Sequence, residues 1–134
     1  MSEPLIWRDA WELGITLLDE QHREMVRLLN ALFDDRGPRP VTERLDALIA
    51  HLRRHFHAED VFLCAIGFPD RDEHIREHMM ELAELVGLRR ALSRTGAEGL
   101  DLADEQAIRH WFFNHVIAED RRYGDFYRDV VCGR

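Results

Sequence analysis

The chain has 134 residues, 46% hydrophobic and 33% charged, with a formal net charge of -8; such a length closes one core without disulfides and predicts a single domain over 1–134. The acidic balance and the lack of a basic stripe exclude a nucleic-acid surface, and no stretch approaches the roughly 20 apolar residues of a membrane span. Residues 1–14 carry no basic start followed by an apolar run, so the expected compartment is the cytoplasm. Cys64 and Cys132 are too few for a disulfide framework, and Cys64 is expected as a small buried hydrophobe.

The lead segment, residues 1–18, carries Trp7, Trp11, Leu13, Ile15 and Leu17 around Gly14 and is expected to lie as an arm across the remainder. Beyond it, four stretches repeat apolar residues at intervals of three and four, which is helical spacing. The first helix is predicted over about 19–35, with Asp19 at its N-cap and a stop at Gly37-Pro38; His22, Val26, Leu29 and Phe33 share its inner face. The second, about 41–65, repeats Leu45, Leu48, Ile49, Leu52, His55, Phe56, Glu59, Phe62 and Leu63 up to Gly67-Phe68-Pro69. The third, about 70–92, opens on Asp70 and Glu73, the spacing of a capping box, with His74, His78, Leu82 and Leu85 inward. The fourth, about 104–128 with Asp101 as an alternative start, turns Ile108, Trp111, Phe112 and His115 inward. Short connections make neighbours antiparallel, so the predicted fold is all-α: an antiparallel up-down-up-down four-helix bundle with an N-terminal arm.

Histidines and carboxylates embedded in apolar stripes need partners, because burying them bare costs several kcal/mol. His55 and Glu59 are four apart, as are His74 and His78, so each pair projects from one helix face about one turn along the axis. With His22 on the first helix and His115 and Asp120 on the fourth, all four helices can reach one volume. Five imidazoles and two carboxylates exceed what one zinc ion takes and favour two redox-active ions, iron first among them. Plain helical geometry sets positions 115 and 120 roughly 140° apart; a local π-bulge between them is therefore expected.

These residues carry a resemblance. Gly14-Ile15 and Asp19-Glu20-Gln21-His22, His55-Phe56-x-x-Glu59, Gly67-Phe68-Pro69, His74-x-x-x-His78, and Trp111-x-x-x-His115 followed by Asp120 and Tyr123 resemble the motifs of bacterial hemerythrins over about residues 7–127. The resemblance implies two iron ions, one held by His74, His78 and His115, the other by His22 and His55. Glu59 and Asp120 would bridge them alongside an oxo or hydroxo group, and dioxygen would bind at the two-histidine iron. Asp60, Leu63 and Phe68 depart from the family's usual glutamate, methionine and tyrosine, none of them at a ligand position.

The function this implies is reversible dioxygen binding by a carrier, store or delivery protein. It would act without catalysis, as a monomer, beside an oxygen-consuming enzyme. A di-iron oxidase, peroxidase or nitric-oxide-handling enzyme is the alternative, with an oxygen or redox sensor as a third reading. A histidine-rich donor set leaves the oxidised core positive, and no Glu-x-x-His pair of the ferritin-like oxidases stands at the site, which favours binding over oxygen cleavage. Met25, Phe56, Trp111, Phe112 and Val116 lie within a turn of ligands and are expected to wall a dry pocket. His51, His57 and His110 fall off the ligand rows, and Glu81, Glu84, Asp101, Asp104 and Glu105 read as a solvated face. Tyr123 reads first as packing.

Overall fold

The computed structural model describes residues 3–133; Met1 and Ser2 of the expected arm, and Arg134, lie outside the described residues. Four helical rods form a bundle: α1 (Thr16–Phe33), α2 (Val41–Ile66), α3 (Arg71–Thr95), and a fourth rod begun by α4 (Leu102–Trp111). The fourth rod widens into a π-helical segment at Phe112–Glu119, resumes as α5 (Asp120–Phe126) and ends on a second π turn at Tyr127–Val131. No strand occurs among the described residues.

Rod ends follow their local chemistry. At the end of α2, Gly67 takes φ +69°, and the Phe68 N–H bonds the Leu63 carbonyl at 3.0 Å, the left-handed closure that glycine permits. Gly96 closes α3 in the same conformation. Asp101 caps α4 through the Asp104 N–H at 2.8 Å, so the earlier of the two expected starts is used. The buried Arg44 guanidinium donates to the carbonyls of Ala31, Leu32 and Asp34 at 3.1, 2.6 and 3.0 Å, satisfying the bare C-terminal end of α1.

Two expected caps are corrected. The first rod begins at Thr16, not near Asp19. The buried Asp19 carboxylate instead accepts the N–H groups of Leu13, Gly14 and Ile15 at 2.8, 3.0 and 3.2 Å, pinning the turn that feeds the helix, where Gly14 takes φ +81°. Asp70 accepts no capping bond from α3; its carboxylate pairs with Arg122 on α5. Cys64, expected buried, is exposed, because it follows Leu63 by one residue and that step turns it to the outer face of α2.

The arm crosses the bundle as an irregular segment with one short turn at Asp9–Trp11. Asn30 anchors it by two bonds, accepting from the Leu5 N–H at 2.7 Å and donating to the Leu5 carbonyl at 2.8 Å. Apolar packing divides in two. A larger cluster includes Leu29, Leu45, Leu52, Phe56 and Phe112; a smaller one joins Leu18, Leu63, Phe68 and Tyr123. The polar layer lies between them, which is why its side chains are dry.

Candidate metal centre

Each rod delivers donors to that layer by its own periodicity. Along α2, His55 and Glu59 sit one turn apart, and along α3 His74 and His78 do likewise, while His22 comes from α1. On the fourth rod the expected widening is present: the Asp120 N–H bonds the His115 carbonyl, five residues back. That longer turn absorbs the angular mismatch and lets His115 and Asp120 face the same volume. All seven side chains are buried, none more than 5% exposed.

The structure brings the seven together in two sets. The Nε2 atoms of His74 and His78 lie 3.0 and 2.8 Å from Glu59 Oε1, whereas those of His55 and His22 lie 3.1 and 3.5 Å from Glu59 Oε2. Asp120 repeats the division. Its Oδ1 faces His74 and His115 at 3.2 and 3.5 Å, and its Oδ2 faces His22 at 3.2 Å. Donor atoms of Glu59, His74, His78 and His115 fall within 4.8 Å of one another, as do those of His22, His55, Glu59 and Asp120.

Protein partners alone do not satisfy these atoms. The Nε2 atoms of His22, His55, His78 and His115 and both Asp120 oxygens are buried without a hydrogen bond. Orphans of this kind are rare and costly in a native core, and convergent nitrogen and carboxylate oxygen atoms suit a transition metal. The residues therefore fit a metal centre.

In the metal-free layer the groups polarise one another. Burial opposes charge on His22 and His74, yet the facing carboxylates of Asp120 and Glu59 push them up to about 9 and about 10. Burial also works against the Glu59 carboxylate, but His55 and the surrounding ring N–H groups hold it well below the usual range. His115 goes the other way, because there burial dominates and lowers it.

Outer contacts orient the rings. His55 Nδ1 donates to the Gln21 side-chain oxygen at 2.7 Å, and His78 Nδ1 to Asp60 Oδ1 at 2.8 Å. His115 Nδ1 lies 3.0 Å from Glu81 Oε1. The Tyr123 hydroxyl, fully buried, donates to Glu59 Oε2 at 2.7 Å, so it does more than pack. Sequence reasoning missed Gln21 and Glu81 as partners. Gln21 stands beside His22, but nothing along the chain aims it at His55, and Glu81, expected on a solvated face, is only 15% exposed, with burial pushing its carboxyl up to about 7. Of the other histidines, His57 and His110 are exposed; His51 is buried and bonds the Gln21 carbonyl at 2.9 Å.

Aromatic side chains flank the layer. Met25, Phe56, Phe112 and Val116 are buried and Trp111 is half-buried. The Phe56 ring stacks on His78 with centroids 3.9 Å apart, and Trp111 lies nearly parallel to His115 at 6.2 Å.

Fold and site together define a histidine-rich, metal-binding helical bundle. Residues 13–127 match the model of the hemerythrin HHE cation binding domain. A bacteriohemerythrin of Ralstonia nicotianae is 34% identical over 119 residues, covering 86% of this chain and 82% of that protein. A hemerythrin-like protein of Naegleria gruberi is 27% identical over 123 residues, covering 92% and 93%. A crystal structure of wild-type hemerythrin superposes with a TM-score of 0.80 at 25% identity, over 91% of this chain and 96% of that one. The chain belongs to the hemerythrin family.

Proposed function

We propose that the chain binds dioxygen reversibly at a non-haem di-iron centre held by His22, His55, Glu59, His74, His78, His115 and Asp120, serving as an oxygen carrier, store or delivery protein. The observation that carries this reading is the splitting of both carboxylates. Glu59 and Asp120 each turn one oxygen toward the three-histidine set and the other toward the two-histidine set, which is what two cations sharing bridging ligands require. Likeness to bacteriohemerythrins and the iron preference of an imidazole-rich site support the choice of metal. When bound, the iron pair would supply reversible electron exchange with dioxygen.

The chain's own residues set the conditions for release over cleavage. Neutral imidazoles outnumber carboxylates, so the donor set does little to offset the metal charge and discourages higher oxidation states. Met25, Phe56, Phe112 and Val116 keep water from the layer, which limits proton delivery to anything bound there. Tyr123 holds Glu59 in place from behind.

The test is iron content and a visible spectrum on protein purified without added metal, deoxygenated and then aerated. Two irons per chain and oxygen recovered intact under vacuum are expected; a colourless, iron-free sample, or oxygen consumed instead of returned, sinks the reading. Replacement His78→Ala should remove at least one iron while leaving most of the helix content measured by circular dichroism.

A further inference from the structure

The two donor sets differ in what stands behind their histidines. In His55, His78 and His115, Nε2 faces the carboxylates and Nδ1 faces an outer polar partner. Behind the three-histidine set the outward partners are acidic: His78 Nδ1 donates to Asp60 Oδ1 at 2.8 Å, and His115 Nδ1 lies 3.0 Å from Glu81 Oε1 and 3.5 Å from Glu77 Oε2. Behind the two-histidine set, His55 Nδ1 donates to the uncharged amide oxygen of Gln21 at 2.7 Å. A carboxylate on the far N–H draws an imidazole toward imidazolate, strengthens its ligating nitrogen and stabilises the higher oxidation state of the metal. An amide oxygen does this far less.

Resting on the di-iron reading above, we propose that Asp60 and Glu81 on one side and Gln21 on the other are positioning residues that make the two iron positions electronically unequal. When an electrode or dithionite supplies two electrons singly to the oxidised centre, the first converts iron(III) to iron(II) at the two-histidine position. The second does the same at the three-histidine position, which the acidic partners hold ferric to lower potential.

The experiment is a mediated spectroelectrochemical titration of the iron-loaded full chain and of Asp60→Asn, Glu81→Gln and Gln21→Glu, all in one buffer. Metal analysis and circular dichroism precede it. Asp60→Asn and Glu81→Gln should raise the second potential, and Gln21→Glu should lower the first, each by roughly tenfold in the reduction equilibrium, or about 59 mV for one electron. All three narrow the gap between the steps, from opposite ends. Gln21→Glu adds a charge while keeping an acceptor, so it answers the question even where Asp60→Asn fails to fold. A gap that is unchanged or wider, or two steps that move equally, overturns the inference alone; folded chain without two irons overturns the functional reading with it and shows up in the metal analysis.

Discussion

His22 and His74 are pushed up to about 9 and about 10 despite burial, because Asp120 and Glu59 reward their charged forms, and Glu59 is held low by the same contacts. A raised histidine stabilises the fold fully below its unfolded value of 6.5, and that contribution fades as pH climbs through the folded value. The depressed Glu59 acts in the opposite direction, contributing above its unfolded value of 4.5 and losing that contribution on acidification. Metal-free protein should therefore melt highest between about pH 4.5 and 6.5 and lose stability toward pH 10. Bound cations must displace protons from those nitrogens, so the iron-loaded form should gain on the metal-free form between pH 6.5 and 9. Parallel thermal melts across pH check both slopes; a gap that shrinks as pH rises would show that protons and metal do not compete here. Tyr123 supplies a second residue-scale expectation. Its buried hydroxyl serves a charged acceptor at 2.7 Å, and such bonds contribute about 1.5–3 kcal/mol. Tyr123→Phe should lower metal-free stability in urea by that amount, and a loss under about 0.5 kcal/mol, the floor for an ordinary hydrogen bond, would mean the bond contributes little.

Along the fourth rod, one widened turn decides whether the site closes. The bond from the Asp120 N–H to the His115 carbonyl spans five residues, so Asp120 occupies the direction that a residue four along would take in an α-helix. Removing the exposed Ala118 should let the segment relax to ordinary α-helix, with the aspartate now four residues after His115 and still turned inward. Iron stoichiometry and helix content should both survive, whereas the same deletion in a regular helix swings everything beyond it by about 100°; iron falling below one per chain would show that the widening does more than set register. The mismatch itself was legible in the sequence, because His115 and Asp120 share a role but not a helical face. So were the two four-residue pairs, His55 with Glu59 and His74 with His78, since each lies within one rod. What stayed hidden depends on contacts between rods. Gln21 reaches His55 and Asp60 reaches His78 only after α1, α2 and α3 are packed, and Glu81 is sheltered by Trp111 on the facing rod. Asp19 misled for a related reason: its residue type suits an N-cap, but its carboxylate folds back over a preceding turn that glycine makes possible.

Across the whole molecule, the donors tie all four rods to one point, and the arm ties the outer seam. Trp11 packs edge-on to Phe112 with centroids 5.7 Å apart. Arg109 donates to the Glu3 carbonyl at 2.7 Å, and Arg121 reaches the carbonyls of Ala10 and Glu12. The arm thus grips the fourth rod on both sides of its widened turn, while Leu5 and Asn30 hold it to α1. Phe112, the arm's packing surface, is fully buried three residues before His115, so loosening the arm should reach the site without touching a donor. Burial of one large apolar side chain contributes roughly 1.5–3 kcal/mol, and Leu5, Trp7 and Trp11 all pack on the larger cluster. A chain lacking residues 1–12 should still fold, because α1 to α5 and the capping turn at residues 13–15 remain. Hydrogen exchange should accelerate most over residues 112–119 and least over α2, which is flanked by α1 and α3. Iron should leave the truncated protein faster in the presence of a chelator, since opening of the fourth rod frees His115 and Asp120 together. Uniform acceleration across all rods, or an unchanged rate of iron loss, would show that the arm merely adds stability and does not guard the site.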